Sequence, residues 1–77
     1  MTDERRIIGA RIAAARRSAG FSQVELGHLI GVSGQTISNW ETSRYLPSAS
    51  DVVSLVRSLG CSSDYILGLS DKLSPRD

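Results

Sequence analysis

Two helix starts and the tight turn between them can be read directly from residues 22–41, SQVELGHLIGVSGQTISNWE, and this stretch constrains the fold more than any other. Ser22 and Glu25 have the spacing of a capping box, in which the serine oxygen accepts from the Glu25 N–H and the glutamate accepts from the serine N–H. A helix begins there. Phe21 and Leu26 stand in the staple positions around the cap, and Leu26 with Ile30 forms one apolar stripe at helical spacing. Gly31, able to take positive φ, stops the helix. Ser33 is a second cap flanked by Val32 and Ile37, and Ile37 shares a face with Trp40. The pattern is helix, short turn, helix.

The rest of the chain bounds the setting of that unit. Seventy-seven residues make one domain with a small core, and at 40% hydrophobic the chain should fold. Few aromatics and no alternating β-branched runs argue against a sheet, so the expected fold class is all-α. The single cysteine, Cys61, excludes an internal disulfide and a cysteine-based zinc site, and fits a reducing compartment such as the cytoplasm. No apolar run approaches the roughly 20 residues needed to cross a bilayer, and the N-terminal TDERR is not followed by the apolar stretch of a signal peptide. Neither a membrane nor an exported location is expected. The net charge of +1 is too small to point to nucleic acid by itself, although Arg5, Arg6, Arg11, Arg16 and Arg17 crowd the first segment.

Read in order, Asp3 or Thr2 caps a first helix that runs to about Ser18, with Ile8, Ile12 and Ala15 as its core stripe. After the two central helices, TSRYLPS breaks the pattern, and Ser48 with Asp51 repeats the capping-box spacing. A fourth helix is predicted from about Ala49 to Leu59, burying Val52, Leu55, Val56 and Leu59. Gly60 ends it, Ser62 caps a last short helix through Ile66 and Leu67, and Gly68 closes that one. The expected organisation is a domain over residues 1–68 and a polar, frayed tail over 69–77.

A glycine-containing turn of this length is what joins the two helices of a DNA-binding helix-turn-helix, and Gly27 leaves room where they cross. GARIAAARRSAGFSQVELG, IGVSGQTISNWE and LPSASDVVSLVRSLGCSSDYILG together resemble the XRE family of helix-turn-helix proteins, the phage lambda and 434 repressor and Cro type. The likeness extends from about Ile8 to Gly68. It implies a five-helix, lambda-repressor-like domain whose helix from about Gly34 to Thr42 enters the DNA major groove, usually as a two-fold dimer on a palindromic operator. It further implies a semi-buried ion pair between Arg16 and Glu41, a phosphate contact for Gln23, and dimerisation around the last helix, at Tyr65, Ile66 and Leu67. Ala15 and Cys61 depart from the leucine and valine common in the family, Leu29 from a usually polar position, and Gly34 is expected to loosen the start of the reading helix.

With Ile37 and Trp40 turned inward, the face left to solvent is Gly34, Gln35, Ser38 and Asn39, with Thr36 at the margin. Amides read base edges well, because each offers a donor and an acceptor to adenine. Gln35 and Asn39, four residues apart, are therefore the principal candidate base readers, with Ser33 and Ser38 assisting. Arg44 and Tyr45, in the loop after the reading helix, and Arg17 or Arg11 from the first helix join Gln23 as candidate phosphate contacts. A lone glutamine is ordinarily plain polar surface; this spacing in this frame reverses that reading. Trp40 reads as core rather than as a base-stacking residue. His28 has no second ligand at metal-binding spacing and reads as solvated surface. No nucleophile with a base, no carboxylate pair and no phosphate loop stands in the sequence, so neither an enzyme nor a cofactor or small-molecule substrate is expected. The rival reading is a protein-binding helix-turn-helix module, an antitoxin or adaptor, that docks through Leu29 or the apolar last helix.

Overall fold

The computed structural model describes residues 3–74. Five helices follow one another, α1 (Asp3–Ser18), α2 (Gln23–Ile30), α3 (Gly34–Glu41), α4 (Ala49–Leu59) and α5 (Ser63–Ile66), and no strand occurs among the described residues. The all-α expectation holds.

Local chemistry fixes the helix starts. At Ser22 both bonds of the capping box are present, Glu25 N–H to Ser22 Oγ at 3.0 Å and Ser22 N–H to Glu25 Oε1 at 2.8 Å. Ser48 and Asp51 repeat it at 3.1 and 3.0 Å. Ser33 and Ser62 each accept one backbone N–H at 3.0 Å, from Thr36 and Tyr65. Each such cap is worth about 1 kcal/mol, a large share of what an eight-residue helix needs to hold its first turn. Left-handed glycines end α2 and α4, at φ 81° for Gly31 and 65° for Gly60. Because α1 already includes Asp3, its cap position falls on Thr2, which lies outside the described residues.

All five helices contribute to one core of Ile12, Ala15, Leu26, Ile37, Trp40, Leu55, Cys61 and Ile66, with Ile8, Phe21, Val52, Val56, Leu59 and Leu73 packed against it. Each fully buried aliphatic there stabilises the fold by about 1.5–3 kcal/mol. The same burial raises the pKa of the Cys61 thiol. Two close approaches set the helices at their angles. A Cβ on Gly27 would lie 2.6 Å from the Val32 carbonyl oxygen, so the turn after α2 folds back onto that helix only because the side chain is missing. A Cβ on Gly9 would lie 2.6 and 2.7 Å from the carbonyl oxygens of Glu41 and Trp40, so α1 rests directly on the end of α3.

Two expectations are corrected here. Ile66 does not belong to a dimer face: it is fully buried in the core, and only its neighbours Tyr65 and Leu67 on the short α5 reach the surface. Nor is the segment after Gly68 frayed throughout. Leu73 packs against the core, its carbonyl accepts from the Ser62 N–H at 2.9 Å, and the Ser70 carbonyl accepts from Arg11 Nη1 at 2.7 Å. An apolar anchor and satisfied carbonyls hold residues 69–74 against α1 and α5, so the domain continues past 68. Residues 75–77 of the expected tail lie outside the described residues.

Candidate nucleic-acid interface

The front of α3 is what remains after its apolar residues turn inward. Ile37 and Trp40 are buried, at 0% and 4% exposure, while Gln35 is exposed and Thr36, Ser38 and Asn39 are half-buried. Gln35 and Asn39 lie one turn apart and are joined by a hydrogen bond, Gln35 Nε2 to Asn39 Oδ1 at 3.1 Å. The other polar residues of this face are occupied within the helix. Ser33 Oγ accepts from the Thr36 N–H and shares a proton with Thr36 Oγ1 at 3.0 Å. The Ser38 carbonyl accepts from both the N–H and the hydroxyl of Thr42, each at 2.9 Å.

Gly34 is not a loose point. A Cβ there would lie 2.9 Å from Val24 Cγ2 and 3.2 Å from Val24 Cα, so this glycine lets the start of α3 seat against α2. The sequence-based expectation of a weakened helix start is corrected by that close approach. Val24 itself is 71% exposed, an apolar side chain at the edge of the polar face. Sequence reasoning passed over it; the available signal was an apolar residue lying off the Leu26–Ile30 stripe.

Behind the face stands a compact ionic cluster. Arg16 Nε donates to Glu41 Oε2 at 2.6 Å, Nη2 to Oε1 at 3.1 Å, and Nη1 to the Phe21 carbonyl at 2.8 Å. The two side chains are 11% and 6% exposed, and the hydrogen bond to Glu41 raises the pKa of Arg16 above its already high value. Gln23 Nε2 donates to Glu41 Oε1 at 3.0 Å, which fixes the first residue of α2 to the last residue of α3. One of its amide protons is left for another acceptor.

The loop beyond α3 is anchored to the same helix. The Asn39 carbonyl accepts from the backbone N–H groups of Arg44 and Tyr45, at 2.9 and 3.3 Å, so both exposed side chains project near the α3 C-terminus. Ser43 makes the turn with φ 65° and donates its hydroxyl to the Arg5 carbonyl at 2.9 Å. Of the two α1 candidates, Arg17 is exposed in the last turn. Arg11 does not fit a phosphate role. It bonds the Tyr65 and Ser70 carbonyls, pairs with Asp71 at 2.9 Å and stacks on the Tyr65 ring at 4.2 Å, so its donors are committed to the C-terminal segment.

Two half-buried or exposed amides, a loop bearing arginine and tyrosine, and a helix start bearing a tethered glutamine together offer donors over one face. That is chemistry suited to base edges flanked by phosphates. His28 is exposed, no His, Cys, Asp or Glu cluster able to hold a metal occurs among the described residues, and none of their helices is long and apolar enough to cross a membrane.

Residues 12–66 match a family model described as Helix-turn-helix. Over 61 residues the chain is 39% identical to the repressor protein C2 of Salmonella phage P22, covering 79% of this chain and 28% of that protein. It is 29% identical over 70 residues to the HTH-type transcriptional regulator ImmR of Bacillus subtilis, covering 91% of this chain and 54% of the relative. The chain thus spans about a quarter and about half of these two curated relatives. Among solved structures, the P22 c2 repressor in complex with a synthetic operator superposes with a TM-score of 0.77 at 38% identity, over 83% of this chain and 97% of that one. The solution structure of the P22 c2 DNA-binding domain gives 0.76 at 36% identity, over 94% and 95%.

Proposed function

We propose that this chain, which belongs to the XRE-type helix-turn-helix family, is a sequence-specific DNA-binding transcriptional regulator, a cytoplasmic repressor of phage type acting as a homodimer on a palindromic operator. The observation that carries the reading is the split of α3, with Ile37 and Trp40 in the core and Gln35 and Asn39 presented outward. The likeness to a repressor solved on operator DNA supports it. In this reading Gln35 and Asn39 meet base edges in the major groove, Ser33, Thr36 and Ser38 line the approach, and Val24 offers an apolar surface to a thymine methyl. Gly34 adds only backbone there. Gln23, Arg44, Tyr45 and Arg17 take the phosphates. The dimer face combines Tyr65 and Leu67 with exposed Ile7 and Leu69, which flank Gly68 and bring the two ends of the domain together. The antitoxin or adaptor alternative has less support, since the relatives that share this fold are named as repressors and regulators.

Gel retardation on duplexes selected from a random pool tests the reading. Half-sites about 10 base pairs apart and a steep loss of affinity with salt are expected. Gln35→Ala and Asn39→Ala should each relax the base preference at one position; unchanged preference in both variants would remove α3 as the reader.

A further inference from the structure

The hydrogen bond between Gln35 and Asn39 divides the work of reading between them. Taken separately, either amide could clasp adenine, giving a donor to N7 and an acceptor to the N6 amino group. Bonded as they are, they are no longer equivalent. Asn39 Oδ1 accepts from Gln35 Nε2, so the acceptor of Asn39 is turned along the helix and its two Nδ2 protons are what it has left to offer. Gln35 has spent one amide proton but keeps its second proton and its free carbonyl oxygen, the pair that adenine requires. No other side chain of this face competes, because Ser33 and Thr36 are bonded to each other.

From this pairing we infer that the operator half-site carries an adenine read by Gln35 and a guanine read by Asn39. Guanine shows two acceptors, O6 and N7, to the major groove, matching a group that can only donate; the exposed edge of cytosine is a donor and is rejected. Pairs of this kind at i and i+4 on a helix are mutually stabilising, so the two amides meet DNA already ordered and lose less rotamer freedom on binding.

The inference rests on the DNA-binding reading above, and one experiment separates the two. Random duplexes are selected with the wild-type chain and with Asn39→Asp, whose carboxylate still accepts from Gln35 but can no longer donate. The wild type is expected to enrich one adenine and one guanine per half-site. Asn39→Asp should keep the adenine and exchange the guanine for cytosine, whose N4 donates to a carboxylate, with a preference of roughly 10- to 100-fold. Adenine at both positions in the wild type, or simultaneous loss of both preferences in a variant with an unchanged melting curve, overturns the inference while leaving a DNA-binding protein. Absence of any salt-dependent retardation by the wild type overturns the functional reading itself.

Discussion

Arg11 and Arg16 leave the same helix five residues apart and both end on a carboxylate, yet they do different physical work. Arg16 meets Glu41 with both groups nearly excluded from water, gains two charge-assisted bonds, and shares the carboxylate with Gln23. Arg11 meets Asp71, whose side chain is 99% exposed, and its firmer attachments are two backbone carbonyls and a tyrosine ring. Counting ion pairs would treat them as equal. Burial separates them, because water screens the second pair and leaves the first to depend wholly on its partner. The first fastens the end of the reading helix; the second straps the C-terminal segment across α1 and α5.

The contrast can be broken most severely at Glu41. Glu41→Gln strands the Arg16 charge and should cost about 3–5 kcal/mol, lowering the melting temperature by upwards of about 12 °C. An unchanged melt would put this pair in the same class as the exposed one. Arg11→Ala removes the ring contact and two backbone bonds and should cost about 1 kcal/mol, whereas Asp71→Asn should leave the melt where it was. Equal effects of those two substitutions would mean that the charge pair, not the stacking, holds the strap.

The smallest effect concerns a third carboxylate, Glu25, exposed and held only by its capping bonds. The Ser22 backbone N–H, followed by the Ser22 hydroxyl, lowers its pKa from the ordinary 4.5. Its contribution to stability is therefore complete above 4.5 and disappears as pH falls through the lower folded value. Acid melts of Glu25→Gln should run shallower than wild type in that window and parallel to it near neutrality; identical acid profiles would contradict the assignment.

What could be foreseen follows the range of the interactions. Ser22 with Glu25 and Ser48 with Asp51 are three residues apart, so their caps, and with them the starts of α2 and α4, were legible in the sequence. The inward turn of Ile37 and Trp40 was equally so, being a matter of helical period. The docking of residues 69–74 was not, because it depends on Arg11 reaching a carbonyl 59 positions away and on one leucine within a polar segment. Ile66 was misjudged for a related reason: in a helix of a single turn, periodicity cannot tell which of three adjacent apolar residues faces the core. Gly9 and Ser43 went unnoticed since only the packed helices reveal that a backbone passes there. The bond between Gln35 and Asn39 lay between these cases, its spacing visible and its direction not.

The seat of Gly34 against Val24 also bears on how such a chain can change its operator. Any side chain at position 34 forces the two central helices apart before it can touch a base, so mutations there are filtered by folding rather than by DNA. Drift towards a new operator is thereby channelled through positions 35 and 39, where side chains vary without disturbing the helix crossing. A library randomised across α3 should accordingly return folded members that keep glycine at its first position and differ freely one turn further on.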